Sequence, residues 1–242
     1  MYYRDFLGRI HEVLEPPTYL EIGVRNGDSL ALARSPAIGI DPAYRLKVAP
    51  RPGTKLFPVT SDDFFERAEP LLTFGGRRVA FSFIDGMHLS EFALRDFVNV
   101  ERHADWTAAI VFDDILPRDI PEANRDRSTH QWTGDVYKVL EALEEHRPDL
   151  IVLRVATEPT GLGLVLGLDP GSRVLRERLL LVRAPRSPRA RRPARRGPAA
   201  ATRCDRAGLR PVDNPTSPTS RAAPAGCPPA RAAAPGAGSG PS

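Results

Sequence analysis

Apolar residues near the start of the chain fall at Phe6, Leu7, Ile10, Val13 and Leu14. This three-and-four spacing predicts a helix over 2–14, stopped by Glu15-Pro16-Pro17. The period then changes. TYLEIG (18–23) and AIGID (37–41) are short, continuously apolar runs bounded by turn residues, and both are expected as buried strands. Between them Asn26-Gly27-Asp28-Ser29 is a turn leading into a short helix, SLALAR. LFPVTS (56–61) is expected as a weaker strand, since Pro58 removes a ladder donor. Ser61 or Asp62 could cap a helix running to about Phe74.

The second half repeats the alternation. VAFSFID (79–85) and AAIVFDD (108–114) predict strands, with a helix from about Ser90 to His103 between them. A polar loop (117–132) leads to a helix from about Gly134 to His146, stopped by Pro148. DLIVLRV (149–155) and LGLVLGL (162–168) are joined by ATEPTG, which suits a hairpin turn. Strands apolar on both faces alternating with amphipathic helices define an α/β fold. It is expected as a Rossmann-like, mostly parallel seven-stranded sheet with helices on both faces and an antiparallel last strand.

Charge divides the chain in two. Residues 183–242 hold twelve arginines, no lysine, two acids, twelve of the 25 prolines and no aromatic residue. Such a stretch buries too little apolar area to offset chain entropy, so a disordered Arg/Pro/Ala-rich tail is expected after a 1–182 domain. The domain itself carries 22 basic and 28 acidic residues. The basic pI of about 9.4 therefore belongs to the tail. Nucleic acid is expected only through nonspecific arginine–phosphate contact there. The tail composition also fits a read-through product of GC-rich DNA. Both cysteines, Cys204 and Cys227, lie in the tail, which rules out a disulfide framework in the domain. No run reaches the ~18 apolar residues of a membrane span, and the first residues lack a signal-peptide core. A cytoplasmic protein with no membrane partner is the expectation, with a homo-oligomer left open.

In open parallel sheets ligands bind beyond the carboxyl ends of the strands. Here those ends carry polar residues. After the first strand, Gly23 allows a sharp turn and Gly27 lets a ligand approach the next helix. Asp41 ends the second strand, about 20 residues after the first glycines, where an acid can hold ribose hydroxyls. Asp85, Gly86 and His88 follow the fourth, and Asp113-Asp114 the fifth. Asp113 and Asp114 would point to opposite faces if that strand continued. Asp96 is expected to be a solvated or capping acid. In the long loop His130 and Trp132 could close over a substrate, or Trp132 could staple the next helix, which begins at Asp135.

Together E-I-G-V-R-N-G with I-G-I-D, and I-D-G-M-H-L-S-E-F-A-L-R-D-F with I-V-F-D-D, resemble the class I S-adenosylmethionine-dependent methyltransferases. The likeness is to a small-molecule O-methyltransferase branch with Asp-Gly-x-His and Asp-Asp motifs, and it covers about residues 15–170. It implies that Glu21, Gly23 and Gly27 flank the methionine part of S-adenosylmethionine, that Asp41 holds the ribose, and that Ser61 and Asp62 contact adenine. Asp85 would lie near the sulfonium and the acceptor. Metal-dependent relatives hold Mg²⁺ with acids at the positions of Asp85, Asp113 and Asp114, although Met87 stands where they often have a further acid. The acceptor would be a small-molecule hydroxyl, on a sugar or a secondary metabolite. Either a metal would lower its pKa, or His88 would take its proton, with Asp85 beside it as the second catalytic residue. Two alternatives stay open. One is a cephalosporin-hydroxylase-like iron enzyme using His88 with Asp85 and Asp113 or Asp114. The other is a non-catalytic ligand-binding domain with a basic interaction tail.

Overall fold

A computed structural model describes residues 1–181. The tail, with the expectations for it, lies outside the described residues. Seven strands form one sheet: β1 (Tyr19–Ile22), β2 (Ala37–Ile40), β3 (Thr54–Phe57), β4 (Val79–Ile84), β5 (Ala104–Phe112), β6 (Ile151–Val155) and β7 (Leu162–Leu166). Their order is β3-β2-β1-β4-β5-β7-β6. The first five run parallel, and β7 is antiparallel to both β5 and β6. The chain starts in the middle of the sheet, winds out to β3, then returns to build the other half. That reversal, between β1 and β4, is the switch point where a ligand crevice is expected.

One face carries α1 (Tyr3–Leu14), whose Leu7 packs with Tyr19, Phe81 and Phe83 of β1 and β4. The other carries α3 (Ser90–His103) and α5 (Lys138–His146), which bring Phe97, Val100, Leu140 and Leu143 against Leu20, Ile84 and Ile110. The remaining helices are α2 (Ser61–Phe65), α4 (Ile120–Ala123) and α6 (Val174–Leu181). Among the described residues no helix is long and apolar enough to cross a membrane.

Local chemistry moved several boundaries. β3 lies at Thr54–Phe57, ahead of Pro58 rather than across it. SLALAR forms only a 3-10 turn at Leu30–Leu32. α2 ends at Phe65, well short of Phe74, with Pro70 in the stretch that follows. Its cap is Thr60, whose hydroxyl accepts the Asp63 N–H at 3.1 Å, and not Ser61 or Asp62. β5 starts at Ala104, directly after α3. Between Val79↔Ala104 and Phe81↔Ala109 the register shifts, so residues 105–107 bulge from the ladder and Trp106 is 74% exposed.

Candidate active site

The register itself assembles the site. Ile22 pairs with Ile40 and with Ile84, and Ile84 pairs with Phe112. The next residue of each strand is therefore Gly23, Asp41, Asp85 or Asp113, in one row. Backbone bonds extend the ladder by that step. The Gly23 N–H donates to Ile40 at 2.9 Å, Asp85 to Ile22 at 2.8 Å, and Asp113 to Ile84 at 3.1 Å. All four residues line one cavity of about 740 Å³, with Ser61, His88 and Asp114 also in its wall. That volume is ordinary for a small-molecule site.

Gly23 has φ +89°, and a Cβ there would lie 1.8 Å from the Asp85 carbonyl oxygen. The turn after β1 thus runs directly against the end of β4. Gly27 is different. It does not line the cavity, and a Cβ at its φ of +86° would meet the Leu46 side chain at 2.8 Å. Room for the 46–48 segment, rather than for a ligand, is what glycine provides there. Glu21 also lies outside the cavity wall. It is buried under the turn, accepting the Tyr19 phenol at 2.7 Å and the Ser29 hydroxyl at 2.8 Å. Asp62 does not line the cavity and pairs with Arg95 at 3.0 Å. Of the expected cofactor contacts, Gly23, Asp41, Ser61 and Asp85 converge on one space. Glu21, Gly27 and Asp62 do not. Asp41 shows the polarity a ribose would exploit, since its carboxylate accepts the Arg25 and Ala43 N–H groups, each at 2.7 Å.

Burial pushes the Glu21 carboxyl up to about 8, against its two hydroxyl donors, which lower it. The unfolded chain releases this proton near the ordinary glutamate value of 4.5 and the folded one only near 8. Stability supplied by the neutral acid is thus present below the lower value and lost as pH rises through the upper one. Melting curves from pH 5 to 8.5 should show wild-type stability falling by on the order of a few kcal/mol. Glu21→Gln should flatten that fall and melt above wild type at pH 8.5.

Asp114 has φ +65°, so the chain turns immediately after β5. Both Asp113 and Asp114 consequently face the cavity, because the strand has already ended. They do different things there. Asp113 accepts the Asp114 N–H at 2.9 Å and the Thr160 hydroxyl at 3.4 Å. Asp114 reaches His88, with Oδ2 at 3.0 Å from Nδ1, while His88 Nε2 lies 3.5 Å from Asp85 Oδ1. Among the described residues, the cluster whose ligand atoms lie within 4.8 Å of one another is Asp85, His88 and Asp114, with His88 in place of the Asp113 of the expected three-acid set. Mg²⁺ prefers an all-oxygen shell, so a nitrogen donor makes this a poor Mg²⁺ site. Two carboxylates and an imidazole suit softer divalent ions such as Fe²⁺ or Mn²⁺ better.

His88 is held tightly. Its ring stacks on Trp132 at 5.1 Å and 11°, and Nδ1 lies 2.6 Å from the Trp132 carbonyl. Burial alone would lower its pKa, but the bonds to Asp114 and Asp85 prevail and raise it to about 11. As an imidazolium at neutral pH, His88 has no lone pair with which to take a proton. The structure thus supports His88 as the cation between two acids rather than as a general base. Burial raises the Asp85 carboxyl, and its bond to His88 opposes that rise.

Two contributions lie outside the sequence reading. Asp96 is 3% exposed and lines the cavity, so it is neither solvated nor a cap. Its place on the apolar stripe Phe92-Ala93-Phe97-Val100 of α3 was a signal available in the sequence. Tyr3 enters from the start of α1, where the Tyr3 N–H donates to Glu158 at 2.9 Å. No local pattern announces that long-range pairing. Loop residues Arg127, His130 and Trp132 reach the cavity, and Asp135 instead accepts the Ser90 N–H at 2.9 Å and pairs with Arg125.

No family model matches the sequence, and no curated protein matches it. Solved structures do. A "putative O-methyltransferase" from Klebsiella pneumoniae superposes with a TM-score of 0.50 at 16% identity, covering 69% of this chain and 80% of that one. The O-methyltransferase TomG from Streptomyces achromogenes, solved with SAM, gives a TM-score of 0.48 at 14% identity, over 69% of this chain and 80% of that one. An O-methyltransferase from Bacillus cereus, solved with SAH, gives 0.47 at 12%, over 68% and 80%. The chain has the fold of the class I S-adenosylmethionine-dependent O-methyltransferases.

Proposed function

We propose that this protein transfers a methyl group from S-adenosylmethionine to a hydroxyl oxygen of a small molecule. The observation that carries this reading is the row Gly23, Asp41, Asp85 and Asp113 lining a single cavity at the carboxyl ends of adjacent parallel strands. The fold likeness to the Klebsiella pneumoniae protein described as an O-methyltransferase agrees with it. Asp41 would bind the ribose, and the Gly23 turn would pass the methionine part. The acceptor would lie against Asp85, bordered by Trp132, His130 and Tyr3. When bound, S-adenosylmethionine would supply an electrophilic methyl group, which the acceptor oxygen would take as the carbon–sulfur bond broke to leave a neutral thioether. The hydroxyl proton passes to the Asp85 carboxylate, with the charged His88 holding that carboxylate in place. Alignment of donor and acceptor supplies most of the rate.

Calorimetric titration of the full chain with SAH tests the reading. Micromolar binding is expected, weakened at least ~10-fold by Asp41→Ala, which removes a charge-assisted hydrogen bond. Absence of SAH binding would overturn it. Asp85→Asn should cut turnover ~10²–10⁴-fold, as loss of a proton acceptor does, while SAH affinity changes far less. One observation favours a second reading, the iron enzyme: Asp85, His88 and Asp114 form a histidine-and-carboxylate set. Oxygen uptake that depends on added Fe²⁺, without methyl transfer, would decide for it.

A further inference from the structure

A second hollow lies on the face of the sheet that carries α1, between that helix and the 3-10 turn at Leu30–Leu32. Its volume is about 300 Å³, at the small end for ligand sites. Four arginines line it, Arg4, Arg9, Arg34 and Arg51, against two acids, Asp5 and Glu12. Pairing uses part of this charge. Arg4 holds Asp28 at 2.6 Å, outside the groove, and Arg34 holds Glu12 at 2.8 Å within it. Arg9 has no carboxylate partner among the described residues, and Arg51 donates only from Nε, to the Ala31 carbonyl at 3.3 Å. Two guanidinium groups are thus left open in one groove, against a single acid, Asp5, that none of them holds. The fork of a guanidinium matches the oxygens of a phosphate group.

Gly8 separates this groove from an ordinary charged surface. It stands inside α1, where glycine weakens a helix relative to alanine and is usually kept for close packing. No packing demands it here, because a Cβ at Gly8 would meet nothing within 4 Å beyond the adjoining backbone. Gly8 lies in the groove wall, one turn from Arg4 and one turn from Glu12, so its missing side chain keeps the floor open. His11, packed between α1 and the rings of Tyr19 and Phe81, is 1% exposed, and neither ring nitrogen has a hydrogen-bond partner. Burial first, then the groove's Arg34 and Arg51, lower its pKa to about 4 and keep it neutral. We propose that the groove binds a phosphate group, free or carried as a monoester on a small polyol, between the Arg9 and Arg51 guanidinium groups. Ala31 and Leu32 give the organic part a small apolar side to rest on. Asp5 repels phosphate but accepts hydroxyl protons, so a hydroxylated ester fits better than the bare anion. This site is separate from the cavity at the strand ends and does not rest on methyl transfer.

Calorimetric titration of the full chain with glucose 6-phosphate, inorganic phosphate and glucose tests this, at about pH 8, where the monoester is a dianion. Glucose 6-phosphate should bind, inorganic phosphate should bind at least ~3-fold more weakly for want of the hydroxyl contact, and glucose should not bind. Arg9→Gln and Arg51→Gln should each weaken glucose 6-phosphate ~10-fold or more, as loss of a charge-assisted hydrogen bond does. Gly8→Leu is the decisive variant. It should abolish binding by filling the floor, yet melt at or above the wild-type temperature, because leucine favours helix and the space is free. Every variant keeps the twelve arginines of residues 183–242, so binding there is common to all and produces no difference among them. Inorganic phosphate binding more tightly than the ester, and still lost in Gly8→Leu, would make free phosphate the ligand and leave the site standing. No binding by wild type, or equal binding by wild type and all three variants, would overturn the inference and leave the groove a solvated charged surface.

Discussion

Gly23→Ala should abolish both cofactor binding and methyl transfer, and should lower the melting temperature sharply. The reason is covalent geometry. An added Cβ would stand 1.8 Å from the Asp85 carbonyl oxygen and 2.4 Å from its carbon. Both are main-chain atoms at the end of a central strand, so no side chain can rotate away. The φ of +89° is itself costly for any residue with a Cβ. To accept alanine, the end of β1 must separate from the end of β4. That breaks the row on which Asp41 and Asp85 share a cavity. Destabilisation of roughly 4 kcal/mol or more is expected, in the exceptional class for point substitutions. Thermal melts and SAH titration of the variant check it. A variant that melts within a few degrees of wild type and binds SAH normally would show that the β1 turn does not set the site. Gly27→Ala is the useful contrast. Its nearest obstacle is the end of the Leu46 side chain at 2.8 Å, which can move, so cofactor affinity should fall much less.

That contrast shows which parts of the site the sequence made legible. The four strand-end residues were legible because parallel strands apolar on both faces must end together, and the first polar residue after each marks the end. Ile22-Gly23, Ile40-Asp41, Ile84-Asp85 and Phe112-Asp113 all follow this rule. The two glycines looked alike in sequence, yet one faces β4 and the other Leu46. Only the path of residues 42–53, which has no periodic pattern, separates them. Asp96 was misread because an acid on an exposed-looking helix usually meets water. Its neighbours at three- and four-residue spacing, Phe92, Ala93 and Val100, are all core residues. His88 looked like a base because an isolated imidazole titrates near neutrality. What changes it is the pair of carboxylates beside it, Asp114 and Asp85, which favour the charged ring. Apolar patterning located the strands, but charge pairing across them is a property of the folded chain.

Arg147→Met should be the most destabilising change far from the site. Arg147 lies just after α5 and is 2% exposed. Its guanidinium donates to Glu101 at 2.9 Å, at the end of α3, and to Asp149 at 2.7 Å, just before β6. Glu101, itself 4% exposed, also accepts the Asp169 N–H at 3.2 Å, just past β7. One cation therefore ties two helices to the antiparallel end of the sheet. Removing it leaves the Glu101 carboxylate buried without its counter-charge, which costs ~3–5 kcal/mol in comparable pairs. For a domain of this size that corresponds to a fall in melting temperature on the order of 10 °C. The cost comes from the orphaned charge more than from any attraction the pair had gained. It follows that Arg147→Met combined with Glu101→Leu should recover part of the loss, even though it removes more polar contacts. Recovery should be incomplete, because the Asp169 N–H then lacks its acceptor. Urea or thermal melts of the two single variants and the double variant give the coupling directly. If the double variant were as unstable as the sum of the singles, the network's contribution would lie in packing around Arg147, and the charge argument would fail.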